Sequence, residues 1–222
     1  MDLFKYIIRR IAILKTIWIN FHCLPFKQAM RFPIILSRGV QLTSCPRGCI
    51  EIPDGERFRV GFHDYEHAYS KKSSLNINGK LILRGSGRHS FATGVSLNIL
   101  NGAIIELGDN FRASHNTRIT IHKSLKVGED NMWAFDIIVM DTDAHKIFDS
   151  DGNLLNKNKG IVIGNHVWVG CRSVILKGAI IPDGSVIGAC SVLTKELKNI
   201  DSIYLSDRMV RENIHWTREL NQ

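Results

Sequence analysis

Residues 163–193 read IGNHVWVGCRSVILKGAIIPDGSVIGACSVL, and this stretch decides the fold. Ile163, Val169, Ile175, Ile181, Ile187 and Leu193 are all aliphatic and recur at every sixth position without a break. Four positions after each of the first five come Val167, Ser173, Ala179, Ser185 and Ser191, all small or slender. Gly164, Gly170 and Gly188 take the second place of three units. A period of six fits neither the 3.6-residue helix nor the two-residue alternation of a strand. It is a repeat signal of stacked coils. A short strand, a turn and a new direction every sixth residue make a prism with three faces, its coils stacked roughly 4.8 Å apart. In this reading the aliphatic side chain points into the prism, the small one fits the corner, and Gly relieves the backbone at the bend.

Working upstream, Leu107-Gly108-Asp109-Asn110 and Val127-Gly128-Glu129-Asp130-Asn131 are repeat-like openings, an aliphatic residue and Gly followed by turn formers. They lie two residues further apart than three units require, so a small insertion is expected near residues 122–124. The phase from Val127 runs through Trp133 to Val139 and rejoins the main block at Ile163. Between them MDTDAHKIFDSDGNLLNKNKG is polar and turn-rich. It predicts a loop thrown out over about residues 141–160, and loops on a rigid scaffold commonly carry function. Residues 35–83, with IEIPDG, FRVGF and LNINGKLIL, read as strands of irregular first coils.

Residues 3–19 read as a helix, with Ile7, Ile11, Leu14 and Trp18 forming one apolar stripe. Arg9, Arg10 and Lys15 interrupt the apolar run, so it is too broken to span a bilayer, and it lacks the pattern of a secretory signal. Two readings stand: a helix packed on the end of the prism, or a basic amphipathic helix lying on a membrane surface. The charged tail after Leu193 is expected to hold a short helix around residues 208–220. The chain thus divides into a helical segment at 1–34, a coiled domain at 35–195 and a tail at 196–222.

The 222 residues suffice for one substantial core. Hydrophobic content of 44% and charged content of 23% are those of a globular protein. A net charge of +8 favours an anionic partner; without an aromatic RNA-binding signature or a basic reading helix, nucleic acid is not expected. Five scattered cysteines suit reduced thiols in the cytoplasm better than a disulfide framework. Cys45, Cys49, His63 and His67 approach zinc-finger spacing, but Pro53-Asp54-Gly55 interrupts them and the surroundings alternate like strands, so no metal is expected.

The repeat, together with DTDAHKI at 141–147 and NIHW at 213–216, resembles the hexapeptide-repeat acyltransferases. Within them it is most similar to the O-acetyltransferases of capsule, exopolysaccharide and lipopolysaccharide clusters, and to the galactoside and maltose acetyltransferases. The resemblance implies an all-β, left-handed parallel β-helix; the handedness comes from the resemblance, being an exception to the usual crossover rule. Transfer of an acyl group from a thioester to a hydroxyl needs a base, a group to orient it and donors for the oxyanion. The resemblance makes His145 the base, a residue whose ordinary pKa lies near neutrality. Asp141 and Asp143 are both candidate orienters; strand alternation puts them on the same side as His145 and does not choose between them. His166 reads as an outward surface residue.

The resemblance further implies acetyl-CoA as acyl-donor substrate. Cys171 and Ala189 then hold its pantetheine arm through their backbone amides, and Thr194 and Lys195 lie near its phosphates, where a cation is apt. Trp168 is either a wall of the cleft or a subunit contact. Ser114, where the galactoside enzymes have Asn, and Asn116 stand on the acceptor side. Leu205-Ser206-Asp207-Arg208-Met209 lacks the Gly and Pro with which many relatives bind the nucleotide end of CoA. A homotrimer with the site between neighbours follows from the same resemblance. The implied activity is O-acetylation of a sugar hydroxyl on a bacterial surface polysaccharide or its precursor, in the cytoplasm, with peripheral membrane contact through residues 3–19 as the open question. The alternatives are N-acetylation of a nucleotide-linked amino sugar and a non-catalytic β-helix binding scaffold. A zinc carbonic anhydrase of this fold would need three converging histidines, and His115, His122 and His145 depart from that spacing.

Overall fold

The computed structural model describes residues 10–62, 71–85 and 87–219. Two short helices, α1 (Ile13–Cys23) and α2 (Phe26–Ala29), precede a three-faced parallel β-helix. Its first face carries β1 (Ile34–Leu36), β4 (Arg57–Phe62), β7 (Arg88–Ala92), β10 (Arg112–Ala113), β13 (Met132–Trp133), β16 (Trp168–Val169), β19 (Val186–Ile187) and β21 (Ile203–Leu205), with antiparallel β22 (Arg208–Arg211) at its end. The second carries β2 (Val40–Ser44), β5 (Ser73–Ile77), β8 (Ser96–Ile99), β11 (Arg118–Ile121), β14 (Ile138–Met140), β17 (Val174–Leu176) and β20 (Val192–Leu193). The third carries β3 (Ile50–Glu51), β6 (Lys80–Leu83), β9 (Ile104–Leu107), β12 (Ser124–Val127), β15 (Ile161–Ile163) and β18 (Ile180–Ile181).

The six-residue reading holds for side-chain direction. All six aliphatics of residues 163–193 are buried, and so are Val167, Ser173, Ala179, Ser185 and Ser191. The corner serines satisfy their hydroxyls locally: Ser173 donates to Gly170 O at 2.8 Å, Ser185 to Pro182 O at 2.7 Å and Ser191 to Gly188 O at 2.6 Å. The role expected of the glycines is corrected. Gly164, Gly170 and Gly188 do not have positive φ; the bend falls two residues later, on His166 (φ 51°), Arg172 (59°) and Cys190 (60°). Glycine is needed because the next coil leaves no room: a Cβ on Gly170 would lie 2.7 Å from Ala189 N and Ile187 O.

The early coils are wider. Pairing of Ser96 with Arg118 spans 22 positions, whereas Val174 pairs with Val192 across 18. A row of rings lines the first face of these coils: Phe58, Phe91, Phe111 and Trp133, with successive centroids 5.7, 5.4 and 4.9 Å apart. Register also locates the insertions. Thr120 pairs with Met140, and Leu125 with Ile161. The two extra residues therefore lie between Thr120 and Leu125, as expected, and the long loop lies between Met140 and Ile161.

Helix α1 closes the open end of the first face. The expected apolar stripe faces outward: Leu14 is 82% and Trp18 47% exposed, while Thr16, Ile19, Asn20 and Cys23 are buried; Ile11 pairs with Ser37 ahead of the helix, and Ile7 lies outside the described residues. The reason is the sheet edge, whose unpaired backbone groups need partners. Asn20 Nδ2 donates to Ile34 O (2.7 Å), Asn20 Oδ1 accepts from Ile34 N (3.1 Å), and Thr16 Oγ1 accepts from Leu36 N (3.2 Å). At the other end the expected helix around 208–220 is replaced by the β21–β22 hairpin, turned at Ser206-Asp207, and a non-helical strap over residues 212–219.

Candidate active site

Each passage between faces forms an edge of the prism. The loop of residues 141–160 leaves the edge between the second and third faces, and its root is fixed by Asp141. That buried carboxylate accepts the backbone N–H groups of His122 (2.7 Å), Lys123 (2.7 Å) and Ser124 (2.8 Å). Its partners are thus the turn of the coil below, and among the described residues it makes no bond to the His145 ring. Asp143 ion-pairs with Lys177 and accepts from Asn156 Nδ2 at 2.9 Å. Lys177 first, then Asn156, hold this carboxyl below the usual carboxylate range.

Asn156 ties the loop together. Its Nδ2 also donates to His145 O (2.7 Å) and its Oδ1 accepts from Ile147 N (2.7 Å). The His145 N–H meets Asp143 O at 2.7 Å, after Ala144 in the left-handed region (φ 63°). The imidazole itself is exposed and, among the described residues, hydrogen-bonds to nothing. Asp143 therefore braces the backbone of His145 through Asn156 and does not touch the ring. Lys177 and Asn156 were not singled out in the sequence; the available signal was the Lys177-Gly178 turn falling one unit past Ser173 on the edge from which the loop leaves.

On the same edge, Thr194 and Lys195 follow β20. Asp207 occupies Thr194, accepting from its N–H (3.1 Å) and its hydroxyl (2.6 Å), and Lys195 is exposed. The other expected residues lie along the edge between the first and second faces. Ser114, His115 and Asn116 form one turn, where Asn116 Nδ2 donates to Asp136 Oδ1 at 2.9 Å. Cys171 and Ala189 occupy stacked turns above it; among the described residues neither backbone N–H has a hydrogen-bond acceptor, and Cys171 O accepts from Cys190 N at 2.8 Å. Trp168 stands just before this edge on the first face, 39% exposed.

The third edge carries a polar ladder. Asn110 Nδ2 donates to Asp130 Oδ1 (2.7 Å), and Asp130 Oδ2 lies 2.7 Å from His166 Nδ1. The strap closes over it: Trp216 stacks on His166 at 4.0 Å and 10°, its Nε1 donates to His166 O (2.9 Å), and Arg218 Nε donates to Asp130 Oδ1 (2.8 Å). Burial pushes Asp130 up, but His166, Arg218 and Asn110 together hold it below the carboxylate range. Trp168 lies 6.0 Å from Trp216. NIHW is thus a fastener between the tail and the coils.

The residues expected at the site therefore fall into two groups. His145, Asp141, Asp143, Thr194 and Lys195 share one edge; Trp168, Cys171, Ala189, Ser114 and Asn116 lie on the first face and the edge it shares with the second. In a triangular prism the former edge is opposite the first face, so one copy does not bring the groups together. His115 stands on a different edge from His122 and His145, and no cluster suited to a metal occurs among the described residues. Cys49 packs against Cys23 (Sγ to Sγ 3.9 Å) in the buried end of the prism, and His63 and His67 lie outside the described residues.

Residues 160–195 match the family model described as bacterial transferase hexapeptide (six repeats). The galactoside O-acetyltransferase of Escherichia coli K12 is 33% identical over 50% of this chain and 55% of its own length. The polysialic acid O-acetyltransferase of Neisseria meningitidis is 39% identical over 28% of this chain and 31% of its own. The chain thus spans about half, or less, of the length of the curated relatives it matches. The crystal structure of the polysialic acid O-acetyltransferase OatWY superposes with a TM-score of 0.52 at 25% identity, over 85% of this chain and 86% of that one. The shared fold is the left-handed parallel β-helix.

Proposed function

We propose that this chain, which resembles the hexapeptide-repeat acyltransferases, is an acetyl-CoA-dependent O-acetyltransferase acting on a sugar hydroxyl of a bacterial surface polysaccharide or its precursor. The observation that carries the reading is His145: an exposed imidazole with an unoccupied ring, on a backbone braced by Asn156, Asp143 and Lys177. In the reaction, the imidazole takes the proton of the acceptor hydroxyl as that oxygen attacks the thioester carbonyl. The tetrahedral intermediate collapses, the C–S bond breaks, and the departing sulfur receives the proton. The backbone N–H groups of Cys171 and Ala189 hold the donor along the first-to-second edge, Trp168 walls the cleft, and Ser114 and Asn116 meet the acceptor. Lys195 attracts the CoA phosphates, while Asp207, bonded to Thr194, opposes an anion at that hydroxyl.

The two groups of residues meet when the edge bearing His145 in one copy faces the donor edge of another, which supports a homotrimer as the working form. No described helix is long and apolar enough to cross a membrane. The outward apolar side of α1 and α2, including Leu14, Trp18 and Phe26 beside Lys27, supports a cytoplasmic protein in peripheral contact with an anionic membrane surface. Replacing His145 by Ala is expected to lower turnover by roughly 10²–10⁴ with acetyl-CoA affinity retained. Near-normal CoA release from that variant would refute the assignment.

A further inference from the structure

The edge that bears His145 continues toward the N-terminal end of the stack. From the root of the loop it passes His122 and Lys123, then the turns that join β8 to β9, β5 to β6 and β2 to β3. These last three turns form a cavity of about 400 Å3, a size usual for small-ligand sites. Its nearest turn lies two coils, roughly 10 Å, from the root at Asp141. Arg10, Phe62, Lys71, Gly85, Gly87 and Glu219, which border the segments outside the described residues, all stand on the other two edges.

Two amides line the cavity. Asn101 is exposed and, among the described residues, its side chain hydrogen-bonds to nothing. Asn78 accepts from Ser44 Oγ (2.6 Å) and donates to Asn76 Oδ1 (3.1 Å), and Asn76 donates in turn to Asn98 Oδ1 (2.8 Å). An amide has two N–H groups and two lone pairs, so Asn78 is held in place with one of each still to offer. Lys80 is neutralised by Glu51 at 2.7 Å, whereas Arg47 is exposed and has no ion pair among the described residues. Ile104, 42% exposed, and Pro46 add apolar surface. The opening stays clear because Gly48 and Gly102 (φ 69° and 78°) carry no side chain there; a Cβ on either would meet nothing within 4 Å.

This lining suits a sugar. A pyranose hydroxyl both donates and accepts, as an amide does, whereas a carboxylate or phosphate only accepts and an ammonium only donates. The apolar C–H face of the ring would lie against Ile104 and Pro46. Position along the stack favours the acceptor over the donor. In the proposed function the donor groups Cys171 and Ala189 lie one and two coils from the loop toward the C-terminal end, and Ser114 and Asn116 one coil toward the N-terminal end. The cavity lies further along on the acceptor's side. A glycan with its reacting sugar at His145 would run toward it, away from the thioester.

We propose that this cavity is a subsite for an uncharged, hydroxyl-rich sugar residue of the acceptor glycan, remote from the sugar that is acetylated. The acceptor is then an oligomeric or polymeric glycan, and a single sugar is a poor one. The reaction is that of the acetyltransferase reading, on which this assignment rests; binding is tested apart from it, without acetyl-CoA. The probe is a microarray of bacterial surface glycans, neutral and acidic, each printed as a series of increasing chain length. The full chain is expected to bind at least one neutral series, more strongly with length. Asn101→Trp, which places a ring in the opening, and separately the double variant Arg47→Ala, Asn101→Ala, are expected to lower binding of the long members roughly tenfold. Both positions are exposed turn residues, and circular dichroism checks that the fold is kept.

In steady-state assays on the series that binds, both variants raise KM for the long acceptor roughly tenfold, while kcat and the KM for acetyl-CoA hold. The KM for the shortest member is expected to stay at its wild-type value. Binding of no neutral series, affinity independent of length, or unchanged binding of long glycans in both variants overturns the proposal. Full activity in His145→Ala overturns the acetyltransferase reading instead, and leaves the array result standing on its own.

Discussion

Asp141 and Asp143 stand two positions apart and do different work. Asp141 is buried and accepts three backbone N–H groups of the coil below; Asp143 is half-exposed and braces the loop through Asn156. Removing the buried carboxylate strands three donors of a half-exposed turn, each worth up to about 1–3 kcal/mol where water cannot replace the lost acceptor. Asp141→Ala is therefore expected to destabilise the fold by about 2–5 kcal/mol, read as a lower denaturant midpoint with an unchanged slope. Asp143→Ala is expected to leave that midpoint nearly unmoved. It should lower kcat roughly 10–100-fold through misplacement of His145, with the KM for acetyl-CoA unchanged. A large stability loss in Asp143→Ala, or none in Asp141→Ala, would reverse the two roles. Sequence brought both aspartates beside His145 but could not separate them. Alternation fixes which side of a strand a residue occupies, whereas the turn that claims Asp141 lies a whole coil away.

At the level of elements, legibility followed the period. The regular block from Ile163 to Leu193 is readable because every inward position repeats; the early coils are less so, because their extra residues break the six-residue phase and rings take the inward row on the first face. Helix α1 was misread for the opposite reason. Its buried face mixes Ile19 and Cys23 with Thr16 and Asn20, which pair with β1, so a search for apolar periodicity finds the other side. The strap was legible only as a motif, since its purpose depends on Asp130 and His166, far away in sequence. Asp130 gives it a pH dependence. Its folded pKa is depressed, so its contribution is fully present above the unfolded value, near 3.9, and is lost as pH falls through the lower folded value. Tryptophan emission, followed in a Trp18→Phe background, should report release of Trp216 from His166 as the solution is taken below about pH 4. Asp130→Asn should weaken the strap already at neutral pH and remove that acid step. An acid transition identical in both proteins and coincident with loss of far-ultraviolet circular dichroism would assign it to global unfolding instead.

For the whole molecule, the proposed function makes a demand on the arrangement of edges that no single copy meets. His145 projects from the edge opposite the first face, while Trp168, Cys171 and Ala189 lie on or beside that face. A cyclic assembly joins unlike surfaces of neighbouring copies and closes after a fixed number of steps. In the proposed trimer, each cleft would take its base from one chain and its donor edge from the next. This division can be tested by mixing two inactive chains. His145→Ala loses the base, and Cys171→Trp fills the donor turn with a ring while leaving the loop intact. Neither homo-oligomer should turn over. After joint unfolding and reassembly in equal amounts, about one cleft in four combines an intact base with an intact donor edge, so roughly a quarter of wild-type activity should return. If each cleft were built within one chain, mixing would restore nothing. Sedimentation of the mixture identifies the assembly in which the recovered activity resides, and activity confined to a monomeric species would refute the shared cleft.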